Sequence, residues 1–137
     1  MVIMDTDVLL LAFAFPRDER QKTNQKFLEA VQTAQPATTI YNVMETLGQL
    51  SFNLSAEQLN QWQDWLVNAY NLIIIWDVDE NITVENWREI IYERPFQKMQ
   101  SVHMAFMDAL ILLSVERAPD VEGFITWNAK HFKGKTK

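Results

Sequence analysis

Val2-Ile3-Met4-Asp5-Thr6-Asp7-Val8-Leu9-Leu10-Leu11-Ala12-Phe13-Ala14-Phe15 is the stretch that decides the fold class. Val2 to Asp5 reads as a short buried strand. Val8 to Phe15 reads as a helix that ends before Pro16, since proline cannot continue one. A strand running into a helix with no glycine or proline between them is the opening of an α/β unit. The same alternation continues outward. Lys22 to Ala34 sets Phe27, Leu28 and Val31 at helical spacing, and Pro36 stops it ahead of a β-like stretch, Ala37 to Ile40. A helix then carries Val43, Glu45, Leu47 and Leu50. Ser55 opens another with a capping box to Gln58, and Leu59, Trp62, Leu66 and Ala69 form its stripe. The unbroken apolar run Leu72 to Trp76 predicts a central parallel strand. Val84, Trp87, Ile90 and Ile91 mark an amphipathic helix limited by Pro95. An apolar helix around Asp108 follows, and Gly123 to Trp127 is the last strand.

Strands that alternate with helices are joined most economically by right-handed crossovers. The expected fold is therefore α/β: a three-layer α/β/α arrangement with a mostly parallel sheet of four to five strands, in a single domain over residues 1–137. Ligands of such sheets bind at the carboxyl ends of the strands. Asp5, Asp77 and Thr126 with Asn128 fall at that edge. No glycine-rich phosphate loop is present, which removes the ordinary nucleotide-binding classes.

The chain has 137 residues, no cysteine and a net charge of −6. Without cysteine there is neither a disulfide nor a thiolate site, which fits a reducing compartment such as the cytoplasm. The first residues carry acids where a secretion signal needs an apolar stretch, and no apolar run reaches the length that spans a bilayer. Net acidity argues mildly against a nucleic-acid partner. It conceals two basic clusters, Arg17, Arg20, Lys22 and Lys26, and then Lys130, His131, Lys133, Lys135 and Lys137 beyond the last acid. Each is either solvated surface or a rim that tracks phosphates.

Three acids stand apart from the rest. Asp108 lies in Met104 to Leu113, a helix apolar nearly all round and hence expected to be buried with its carboxylate. An ionised carboxylate taken out of water costs several kcal/mol unless it is compensated, by a metal or by a partner such as His103 or Arg117. Asp5 closes the first apolar strand. Glu45 shares a helix face with Tyr41, Asn42, Gly48 and Gln49, a polar and small surface with room for an ion or substrate; the alternative is an ordinary surface glutamate. Asp5-Thr6-Asp7 offers oxygen ligands to a hard cation, Mg²⁺ or Mn²⁺, although for Asp7 capping the following helix is an equal alternative. The aromatic residues sit mostly at core-like spacing, Trp62 and Trp65 included, and none is singled out for contact with a base.

The series strand-Asp5-Thr6-Asp7-Val8-Leu9, then Val43-Met44-Glu45, then Asp108-Ala109-Leu110-Ile111, then Ile125-Thr126-Trp127-Asn128 with Phe132 resembles the PIN domain, and within it the VapC-type toxins of bacterial toxin–antitoxin pairs. The resemblance spans nearly the whole chain. It implies a metal-dependent ribonuclease that hydrolyses RNA phosphodiesters, with Asp5, Glu45 and Asp108 as catalytic acids holding Mg²⁺ or Mn²⁺. Thr6, Asp7, Thr126 and Asn128 would support the ligands or position water, and Lys130 and Lys133 would engage the RNA backbone. It also implies a homodimer and an antitoxin partner. Where the family commonly has a fourth acid, this chain has Asn128 and His131, which implies weaker metal binding or a one-metal site. A degenerate, non-catalytic binding module, using Trp65 and its neighbours, is the alternative. Asp5-Thr6-Asp7 also looks like the first motif of haloacid-dehalogenase-type phosphatases, with Asp5 as nucleophile and later roles for Thr39 and the Asp77/Asp79 pair. That reading leaves Glu45 and Asp108 without a role.

Overall fold

A computed structural model describes residues 1–135, the side chain of Val67 apart. The chain runs β1 (Val2–Met4), α1 (Thr6–Phe13), α2 (Gln21–Ala30), β2 (Pro36–Thr39), α3 (Ile40–Leu50), α4 (Ala56–Asn68), β3 (Ile73–Ile75), α5 (Val84–Arg88), α6 (Arg94–Val102), α7 (Phe106–Arg117) and β4 (Gly123–Ile125). The four strands form one sheet in the order β3-β2-β1-β4, and every pairing is parallel. It is an α/β fold with helices on both faces, as the alternation predicts.

Side chains alternate across a strand, so each strand feeds two cores. Met4 and Ile125 point with Val8, Leu9, Phe13, Leu28 and Leu66 into one core, while Ile3, Ala37 and Phe124 meet Ile111 and Val115 in the other. The register pairs Ile3 with both Ala37 and Phe124, so those three share a face. Helix α7 is buried without a break from Ala109 to Val115, as its all-round apolarity requires. Each large aliphatic side chain fully buried there contributes about 1.5–3 kcal/mol. Helix ends are tied down locally. Capping boxes form at Thr39 with Asn42 and at Ser55 with Gln58.

Several expectations need correction. The Leu72–Trp76 run is the edge strand, not a central one, and Ile73 and Trp76 are exposed. A continuous apolar run records what covers a strand's faces; its lateral neighbours depend on the order in which all strands assemble. Pro95 does not end a helix but sits in the first turn of α6, where a missing N–H is harmless, and a π-helical segment, Glu89–Glu93, joins α5 to it. In α4 Leu66 is buried, but Ala69 is exposed. Trp62 and Trp65 pack edgewise on Phe13, at ring-centroid distances of 5.2 and 3.8 Å, and Trp65 keeps an exposed flank. Among the described residues no helix is long and apolar enough to cross a membrane.

The strand order places the site. The chain moves from β1 through β2 to β3 on one side, then returns to add β4 on the other side of β1. The crevice between the carboxyl ends of β1 and β4 is thus the point where the winding reverses, the position at which open α/β sheets bind ligands.

Candidate active site

Asp5 follows β1 directly and is the N-cap of α1. Its Oδ1 accepts from the Thr6 backbone N–H at 2.8 Å and from Asn42 Nδ2 at 2.9 Å, and its Oδ2 accepts from the Thr126 hydroxyl at 2.8 Å. The carboxylate is thereby locked between three elements, β1–α1, α3 and the end of β4. Asp5, and not Asp7, caps the helix. Asp7 lies in the first turn of α1 and reaches back across the crevice, where its Oδ2 accepts from the backbone N–H groups of Trp127 at 3.0 Å and Asn128 at 3.1 Å. Its Oδ1 is buried and meets no hydrogen-bond partner among the described residues.

Asp5, Thr6, Asp7, Glu45, Asp108 and Asn128 line one cleft of about 220 Å³, completed by Leu10, Gln49, His131 and Phe132. The three acids from three separate apolar segments therefore share a site. Asp108 is not buried in mid-helix as expected. It stands in the first turn of α7 with its side chain 27% exposed, so the helix core stays dry while the carboxylate faces the cleft. Its neighbour is neither His103 nor Arg117 but His131, whose Nδ1 lies 3.9 Å from Asp108 Oδ2, a contact that becomes an ion pair when the imidazole is protonated. Arg117 is engaged elsewhere, with Asp77. Lys130 and Lys133 are exposed beside the cleft without lining it, and Lys137 lies outside the described residues.

Acids outnumber cations here: Arg20 is close enough to Asp7 to interact with its charge, and His131 stands beside Asp108, but no cation is paired with Asp5. Burial pushes the Asp5 carboxyl up to about 6, the Thr126 hydrogen bond works against that, and the nearby negative charges of Asp7 and Glu45 add to it. Among the described residues no three acidic or histidine side chains are gathered closely enough to make a finished metal cage. The donor set nevertheless fits a hard cation: Asp5, Asp7, Glu45 and Asp108 line one polar cleft, and Asp7 Oδ1 is buried without a hydrogen-bond partner among the described residues. A cation there would neutralise repulsion that the protein otherwise carries.

A cleft more than twice as large, about 550 Å³, lies between α6 and α7. Most of its charges are paired, Arg94 with Glu89, Lys98 with Glu116 and Arg117 with Asp77, so size alone does not select it. The residues required by the phosphatase reading are also committed. Thr39 is fully buried as the cap of α3. Asp77 lies two residues beyond β3, at the far edge of the sheet from β4, where Arg117 and Ser114 hold it.

Asn42 escaped the sequence reading as a site residue. It is fully buried, and its amide donates to both Asp5 Oδ1 and the Thr6 hydroxyl while its carbonyl accepts from Thr39. The Thr39-x-x-Asn42 capping spacing is the signal that would have found it. The sequence places His131 in the basic C-terminal cluster and in a missing acid's position, and its proximity to Asp108 depends on the 3-10 turn Ala129–His131 after β4.

No protein-family profile matches this chain, and no curated protein sequence matches it.

Proposed function

We propose that the protein is a metal-dependent endoribonuclease of the PIN type, the toxin of a toxin–antitoxin pair acting in the cytoplasm. The observation that carries this reading is the convergence of Asp5, Glu45 and Asp108, with the unpartnered Asp7 Oδ1, on one cleft at the β1/β4 crevice. These oxygens would hold Mg²⁺ or Mn²⁺. Such an ion, when bound, acidifies water and offsets charge on the phosphoryl oxygens. The protein's own work is orientation. Thr6, Asn42 and Thr126 fix the Asp5 carboxylate so that it costs little reorganisation at the moment of reaction. Asp7 draws the Trp127–Asn128 turn against the cleft and so sets the position of the Asn128 side chain at its rim. Lys130 and Lys133 supply exposed positive charge for the RNA backbone beside an otherwise acidic site. An antitoxin that covers the acidic cleft and a second copy of the chain are the protein partners that accompany this reading.

The test is cleavage of single-stranded RNA with Mn²⁺ and with EDTA. Asp5→Asn and Asp108→Asn are expected to lower the rate by about a hundredfold or more, as loss of a charge-stabilising group does. Equal rates for wild type and Asp108→Asn would overturn the catalytic assignment. Mn²⁺ binding that Asp5→Ala abolishes, in a chain that cuts no RNA, would identify the degenerate binding module instead.

A further inference from the structure

Trp127 is the first residue beyond Thr126, and its backbone N–H donates to Asp7 at the cleft. Its indole Nε1–H donates to Asn24 Oδ1 at 2.9 Å, and Asn24, only 1% exposed, is itself held by a bond from its Nδ2 to the Val8 carbonyl. The ring is therefore fixed along its polar edge by a buried side chain while 38% of the residue stays exposed. The bond satisfies the indole N–H and also sets the orientation of the exposed face. The Arg20 guanidinium, gripped by Asp18 at 3.0 Å, lies over the ring with 5.6 Å to its centroid. A planar, delocalised group thus already fits over this ring.

The geometry points to Trp127 as a stacking platform for an unpaired RNA base next to the phosphate held in the acidic cleft, in the place that Arg20 now covers. This inference rests on the ribonuclease reading and names its substrate class. Every base has a π-face, so such a platform selects for an unstacked nucleotide and not for a sequence. Looped or single-stranded RNA is accepted, and a duplex, whose bases are stacked on one another, is not. Because the indole is fixed before binding, the ring itself needs little ordering when the base arrives, and the cost falls on the Arg20 side chain that must leave it.

The experiment is an anisotropy titration of labelled hexanucleotide RNAs with the full chain in the non-cleaving Asp5→Asn background, with the base deleted at one position at a time. At one position, base deletion and Trp127→Ala are each expected to weaken binding about tenfold, and together no more than either alone. Trp127→Phe and Trp127→Leu both lose the bond to Asn24 and so suffer alike in folding, but only the phenyl ring keeps a stacking face. Phe is expected to retain most of the affinity and Leu to behave like Ala. Losses that add at every position, or equal losses for Phe and Leu, overturn the platform. If the wild-type chain still cuts RNA in that case, the ribonuclease reading stands. Non-additive binding by a chain that never cuts RNA supports the platform and defeats the ribonuclease. Absence of RNA binding by the variant, together with no RNA binding or cleavage by the wild-type chain with Mn²⁺, defeats both.

Discussion

Two strands of this sheet end in the same written signal. β1 runs into Asp5-Thr6-Asp7, and β3 runs into Asp77-Val78-Asp79 a residue after it ends. At the end of β3 the charge is settled: Asp77 Oδ2 accepts from Arg117 at 2.6 Å, its Oδ1 accepts from the Ser114 hydroxyl at 2.9 Å, and Asp79 is used up in a local turn that binds the Asn81 N–H. At the end of β1 the charge is left open. Asp5 is surrounded by neutral donors and further acids, and one oxygen of Asp7 is buried with no partner among the described residues. An acid pair after a strand therefore says little by itself. The neighbours decide whether its charge is paired or left open.

The comparison is broken most forcefully by removing each acid in turn. Asp77→Ala strands the Arg117 guanidinium and should cost about 3 kcal/mol of stability, seen as a lower urea midpoint, with RNA cleavage changed by no more than about twofold. Asp5→Asn keeps a competent helix cap and sheds a repelled charge, so in metal-free buffer at pH 7 it should leave stability unchanged or raised. If both variants lose stability equally, the two ends are alike and the distinction fails.

A smaller effect sharpens it through pH. The Asp5 carboxyl lies near 3.8 when the chain is unfolded and about 6 when folded, so between those values the folded state holds more proton. Stability of the metal-free protein should therefore fall as pH rises from about 4 to 6, by at most roughly 3 kcal/mol for this group. Mn²⁺ at pH 7 should restore it, and Asp5→Asn should flatten this component of the profile; thermal melts at a series of pH values read both.

Asn42→Ala tests what holds the open end in place. Loss of the capping box and of the donor to Asp5 should cost about 2 kcal/mol. By freeing the carboxylate it should also weaken Mn²⁺ binding some tenfold or more in calorimetry. The smallest change is expected at the rim. Lys130→Ala should leave the melting temperature alone and lower the salt slope of RNA binding by about one.

Much of the architecture was legible because it is local. The shift from strand to helix after Asp5, the Ser55 capping box and the all-round apolarity of α7 are each written within a few residues, and each element is found, with α1 and α7 displaced by about two residues at their starts. What was misjudged is what needs a second segment to be known. The apolarity of Leu72 to Trp76 could not reveal that β3 has a neighbour on only one side. The position of Asp108 in its helix depends on where that helix starts, and its start at Phe106 leaves the carboxylate in the first turn and partly exposed.

The sequence by itself determined that this chain is an α/β protein and singled out Asp5, Glu45 and Asp108 as acids on apolar segments, because hydrophobic periodicity is a property of a segment and its immediate neighbours. Only the tertiary structure decided that these acids meet, that Asp77 does not join them, and that Asn42 and Thr126 hold Asp5 while Asn24 holds Trp127. Those pairings join residues far apart in sequence. They exist because β4 returns beside β1 rather than beside β3, and no local pattern records that choice.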